Sequence, residues 1–228
     1  MEETKGFRFS ITELNQRCDR IVNSFNRDLN EFINYGYTAE TATALEADNT
    51  TLKNFLSDEY YQGLLQMATK EKNDIKEGLL SNLVDLRNRY RLCYGSSSVD
   101  YKLLKLAKVA LLSDEETVQK ALHTCQVCEM RLDVLNSRMV TQETLDEIMS
   151  QREQLDLAID NQASAVTTRR EKTLGRTKLA NEIYQKLSEI CEVGKLIWKD
   201  RNEALYLDYV LYGSSKPMAE IEENEELS

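Results

Sequence analysis

Proline occurs once and glycine eight times in this chain of 228 residues. Both weaken helices, so their scarcity favours long helices and few tight turns. Strand-like alternation over several residues is nearly absent. Histidine occurs once, at His123. A di-metal bundle needs two Glu-x-x-His units, and position 120 is Lys, so not even one is present. Any Ser-His-Asp or Cys-His triad would have to use that single ring, with no elbow or loop to present a nucleophile to it. No Gly-rich phosphate loop or G-K-[ST] run occurs. No apolar run reaches the ~18 residues of a membrane span, and the opening MEETKGFRFS has no apolar core for a signal peptide.

A basic excess is also missing. The formal charge is −10, and half of it lies in the last ten residues, AEIEENEELS, which hold five Glu and no Lys or Arg. The rest has an ordinary solubilising surface. Nucleic acid is therefore not the default partner, because such binding rests on a basic footprint. The cysteines are odd in number and scattered, at 18, 93, 125, 128 and 191. They predict reduced thiols in a cytoplasmic protein, not a disulfide framework.

What is present is an internal likeness. With an offset of 103 residues, Ser113–Thr141 falls on Ser10–Thr38. Ser10 and Glu13 meet Ser113 and Glu116, each pair a capping box in which side chains satisfy the first N–H groups of a helix. Cys18, Val22, Phe25, Leu29 and Phe32 meet Ala121, Cys125, Cys128, Leu132 and Leu135. Leu45, Leu52 and Leu56 meet Ile148, Leu155 and Ile159. Leu80 and Val84 meet Ile183 and Leu187, with one residue of slack possible, and Ser97 and Asp100 meet Asp200 and Glu203. Identity is low; cap position and apolar phase are what recur, and such recurrence decides architecture.

The predicted fold is all-α: two tandem pseudo-repeated antiparallel helical bundles, each of three long helices plus one short helix. The expected segments are a lead-in at 1–9, repeat 1 at 10–112, repeat 2 at 113–213 and an acidic disordered tail at 214–228. In the lead-in, Phe7 and Phe9 are available to pack over the first bundle. Apolar steps of three and four predict a helix from Ser10 to Tyr35, ended by Gly36. The pattern from Thr38 to Tyr94 is helical throughout. A reversal is placed in the polar run Thr69–Asp74, with Ser57-Asp58-Glu59 as the alternative. Tyr101–Leu112 predicts a short apolar helix. The second half follows as helices at Ser113–Arg138, Thr141–Thr168, Arg170–Trp198 and Asn202–Tyr212.

His123-Thr-Cys125-Gln-Val-Cys128 is the sharpest motif. Two thiolates at i, i+3 share a helix face and could hold Zn²⁺ or do thiol-redox work. Against this, His123 lies well round the helix from Cys128, and the repeat partners of Cys125 and Cys128 are the apolar Val22 and Phe25. The expected role of both is core packing, with no metal and no cofactor. Arg169, Arg170, Lys172, Arg176 and Lys178 form a basic patch near an expected inter-helix turn, and Arg87, Arg89 and Arg91 form another. Either could meet phosphate, although cations commonly complement the C-terminal turns of helices. Trp198, Tyr206, Tyr209 and Tyr212 cluster near the end of the second half. They read as a plug closing the bundle or, since Trp and Tyr favour interfaces, as a contact surface.

Within Asn181–Gly213, the N-E-[IL]-Y start, the C-x-x-G-K of Cys191, Gly194 and Lys195, and the closing Y-x-x-Y-V-x-Y ladder resemble an uncharacterised bacterial family of all-helical proteins, a domain of unknown function. That resemblance implies a helical fold and a bacterial cytoplasm, and no activity. The expected function is a non-catalytic protein-interaction or scaffold protein, not an enzyme, with Trp198, Tyr206, Tyr209 and Tyr212 as its contact residues. A protein partner is expected, a second copy of the chain among the candidates. The alternatives are a metal-binding or thiol-redox protein using Cys125 and Cys128, or a nucleic-acid-associated protein acting through Arg169 and Arg170.

Overall fold

The computed structural model describes residues 4–212. Every regular element among them is helical and none is a strand. Nine α-helices occur among the described residues: α1 (Ile11–Arg27), α2 (Leu29–Phe32), α3 (Ala39–Lys53), α4 (Asp58–Tyr94), α5 (Val99–Leu103), α6 (Asp114–Glu129), α7 (Leu132–Leu135), α8 (Gln142–Trp198) and α9 (Glu203–Asp208). No helix of the described residues is long and apolar enough to cross a membrane. The acidic tail expected to be disordered lies outside the described residues.

The chain divides into two compact units, Met1–Phe55 with Thr173–Ser228, and Leu56–Lys172. This division differs from the 10–112 and 113–213 segments expected from the offset. The first unit takes its long helices from α1, α3 and the last part of α8. The second takes them from α4, α6 and the first part of α8.

In the first unit, Ser10 caps α1 by accepting from the Glu13 N–H at 3.1 Å. The expected box is only half formed, because the Glu13 carboxylate pairs with Arg17 one turn on. The single helix expected to reach Tyr35 is stepped at Asp28, whose backbone leaves helical geometry. The short α2 and a 3₁₀ turn at Ile33–Tyr35 follow, and Gly36 ends them at φ 81° as expected. Leu14, Ile21, Phe25 and Phe32 meet Leu45 and Leu52 of α3 and Ile183, Leu187 and Ile190 of α8 in one core. Each such side chain, once fully buried, contributes about 1.5–3 kcal/mol. Asn49 on α3 donates to the Asn15 carbonyl at 3.2 Å and to Asp19 at 2.8 Å, which fixes α3 against α1. Phe7 and Phe9 are buried, and Asn181 clasps the lead-in by accepting from Gly6 N–H and donating to the Thr4 carbonyl.

In the second unit, Leu79, Leu83, Leu86 and Tyr90 of α4 pack with Val118, Ala121, Cys125 and Cys128 of α6 and Leu145, Ile148 and Leu155 of α8. Ser113 and Glu116 form the full capping box at the start of α6. There Asp114 pairs with both Lys72 and Lys76, which stand one turn apart on α4. These contacts tie the start of α6 to the middle of α4.

Five expected boundaries are corrected. The run Thr69–Asp74 holds no reversal: α4 passes through it, and the break falls at Asn54–Ser57, where the Ser57 hydroxyl accepts from Tyr60 N–H at 3.3 Å. No break falls near Thr168 either, because Arg, Glu and Lys around it are good helix formers and nothing there interrupts the hydrogen-bond ladder. Each part of α8 packs within a different unit. Tyr101–Leu112 is α-helical only to Leu103, then turns through Lys105 (φ 47°) and Lys108 (φ 52°) into a 3₁₀ turn at Val109–Leu111, so that Leu104, Leu106 and Val109 are all buried. The cap of α5 is Ser98, not Ser97, and the last helix runs only from Glu203 to Asp208.

Candidate functional site: the Trp198–Leu207 groove

The four aromatics near the C-terminus divide into different roles. Tyr209 is fully buried, and its hydroxyl donates to Asp28 at 2.8 Å. Its ring lies against Gly194, where an added Cβ would stand 2.4 Å from ring carbons. The glycine of the C-x-x-G-K stretch is thus a point of close approach. Tyr209 is a plug, not a contact residue.

Trp198 is half-buried, and its indole N–H donates to the same Asp28 carboxylate at 3.0 Å. Arg27 adds two further bonds at 2.8 Å each, from Nε and one terminal nitrogen. Burial pushes the Asp28 carboxyl up, but the bonds from Arg27, Tyr209 and Trp198 together outweigh it and hold it below the usual carboxylate value. Asp28 thereby locks the end of α1 to the end of α8 and to the residue after α9. Sequence reasoning missed it, although a signal existed: Ile21, Phe25, Asp28 and Phe32 follow steps of four, three and four, so a carboxylate stands on an apolar stripe.

The outer face of this lock is an open groove of about 570 Å³ lined by Trp198 to Asn202, Glu203, Tyr206 and Leu207. Asp200 turns the chain there at φ 60°, a conformation Asp tolerates better than most residues. Arg201 lies over the Trp198 ring at 4.9 Å and grips Glu31 at 2.9 and 3.3 Å, so its charge is already used. Lys199 has no carboxylate partner among the described residues. Tyr206 is half-buried, and Leu207 keeps 58 % of its surface exposed. Tyr212 is exposed and bonds Tyr184, hydroxyl to hydroxyl, at 3.0 Å, away from the groove lining. Of the four expected contact residues, the structure brings Trp198 and Tyr206 into one groove.

The remaining candidates fall elsewhere. Cys125 and Cys128 are buried in the core of the second unit, and burial pushes their thiols up to about 11 and about 12. Burial thus disfavours the thiolate, the form that metal binding or redox attack requires. His123 is turned to the Leu103 carbonyl at 3.0 Å. Among the described residues no group of three or more His, Cys, Asp or Glu is placed to hold a metal ion. Arg169 and Arg170 are exposed within α8 and not at a turn between helices.

Comparison of the chain with protein-family models, with curated proteins and with solved structures finds no match, so the functional reading rests on geometry.

Proposed function

We propose that this chain is a non-catalytic protein-interaction module whose contact face in the first unit is the Trp198–Leu207 groove. The observation that carries the reading is the exposure of Leu207 beside Trp198 and Tyr206 on a base held rigid by Asp28. An aromatic wall, an exposed aliphatic side chain and one uncompensated lysine suit a protein segment that offers an apolar anchor followed by a carboxylate. Burial of Cys125 and Cys128 in an apolar core favours this over the metal or redox reading, and the unpaired cysteines accord with a reducing, cytoplasmic setting.

We further propose that the chain holds two copies of one helical module. In support, α2 and α7, the 3₁₀ turns after them, and the starts of α3 and α8 all recur at a spacing of 103 residues. The capping pairs Thr38–Thr41 and Thr141–Thr144 recur with them, as do the left-handed residues Gly36 and Met139. On this reading each copy pairs its first two helices with the third helix of the other copy.

The test is capture of a partner from the native host by the full chain, followed by Leu207→Glu. This exposed change should leave the melting temperature unchanged and abolish stoichiometric capture. Equal capture by wild type and Leu207→Glu would contradict the reading. Tyr209→Ala is the wrong probe, since it empties the core.

A further inference from the structure

A second groove, wholly within the second unit, has a chemistry the interaction reading does not use. It encloses about 300 Å³ and is lined by Arg87, Ser96, Tyr101, Lys102 and Lys105 over a floor of Leu104 and Leu106 with Ala107. All five of the polar lining residues carry hydrogen-bond donors, and none of the lining residues is a carboxylate. In a chain with 39 acidic residues against 29 basic ones, that composition is selective.

Two further observations bear on what this groove would take. Arg87 is half-buried, and its guanidinium makes a single long contact, 3.5 Å to the Leu106 carbonyl, with no carboxylate partner among the described residues. Its neighbours are otherwise: Arg89 pairs with Asp85, and Arg131 takes Asp100, the acid nearest in sequence to the groove. A half-buried arginine with most of its five donors unspent suits an anionic ligand. The backbone supplies the second observation. Lys105 and Lys108 both hold left-handed φ, at 47° and 52°, where glycine would be easier. The turn that buries Leu104, Leu106 and Val109 thereby sets Lys105 on the groove wall.

We propose that this groove binds a small phosphate-bearing molecule, its phosphate held by Arg87, Lys102 and Lys105 and its carbon skeleton laid along Tyr101 and Ala107. Guanidinium and ammonium groups converging on one anion form charge-assisted bonds, stronger than neutral ones. An open groove of about 300 Å³ suits a phosphate or diphosphate on a short skeleton.

Calorimetric titration of the full-length protein with inorganic pyrophosphate and with glycerol 3-phosphate, at constant ionic strength set by chloride, tests this. Saturable one-to-one binding is expected, weakened at least about tenfold in Arg87→Gln/Lys105→Gln. The exposed pair Arg169→Gln/Arg170→Gln should bind as wild type. Lys105→Gly separates charge from strain: it should raise the melting temperature and still lose affinity. If Arg87→Gln disturbs folding, Lys102→Gln, fully on the surface, must still weaken binding. No saturable binding of either probe overturns the proposal. So does binding unchanged by these substitutions, equal loss in the Arg169/Arg170 variant, or binding of single-stranded oligonucleotide without pyrophosphate.

Discussion

Two buried tyrosines in the two cores do different things. Tyr209 has its hydroxyl on the Asp28 carboxylate, whereas the hydroxyl of Tyr90 is buried with no partner among the described residues. Removing each oxygen should therefore move stability in opposite directions. Tyr209→Phe strips a charge-assisted bond and should cost about 1.5–3 kcal/mol, while Tyr90→Phe removes an unsatisfied group and should be neutral or stabilising by up to about 1 kcal/mol. Urea unfolding of the two variants checks the pair. Asp28 also sets a pH dependence. Its carboxyl lies below the ordinary value in the folded chain, so its contribution is complete above the unfolded carboxylate range and is lost as pH falls through the folded value. Asp28→Asn should be less stable than wild type at neutral pH, and the gap should narrow as acid is added. A gap that stays constant to low pH would show that Asp28 does not titrate as described.

At the scale of the element, the turn after α7 carries a cost that the turn after α2 avoids. Gly36 and Met139 end equivalent turns in left-handed geometry, at φ 81° and 58°, and only the glycine suits it. Arg89 reaches the carbonyls of Arg138 and Met139 at 3.2 and 3.1 Å, which helps hold that turn. Met139→Gly should stabilise the protein by up to about 1 kcal/mol, read as a rise in melting temperature without change in helix content. Helix starts were legible in the sequence wherever a hydroxyl residue preceded an apolar rhythm, as at Ser10, Thr38, Ser113 and Thr141. Interruptions were less so. Ser57 was the correct break but carries a weaker local signal than the polar run after Met67. Around Arg169 the run of good helix formers did signal continuity of α8, and the expectation of a turn at a basic patch was set above it. The segment after Leu103 failed for a different reason: its leucines and lysines have high helix propensity, and burial of Leu104, Leu106 and Val109 overrode it. The groove aromatics were visible, but not their division, because a plug and a contact residue share composition until Asp28 and Gly194 are placed beside them.

For the whole molecule, the compact units cut across the order of the chain. One is contiguous, Leu56–Lys172, and the other is assembled from both ends. Local patterning alone could not show this, since the same apolar stripes satisfy either pairing of third helices. The division matters for function, because the Trp198–Leu207 groove rests on Asp28 from the opposite end of the sequence, while the Arg87–Lys105 groove needs only the contiguous unit. The most direct test compares two fragments, 56–172 and 10–112, by circular dichroism and thermal melting. Fragment 56–172 should be strongly helical and melt in one cooperative step, and 10–112, with α4 parted from α6, should not. Cooperative melting of 10–112 with an unfolded 56–172 would contradict the account and restore the tandem arrangement.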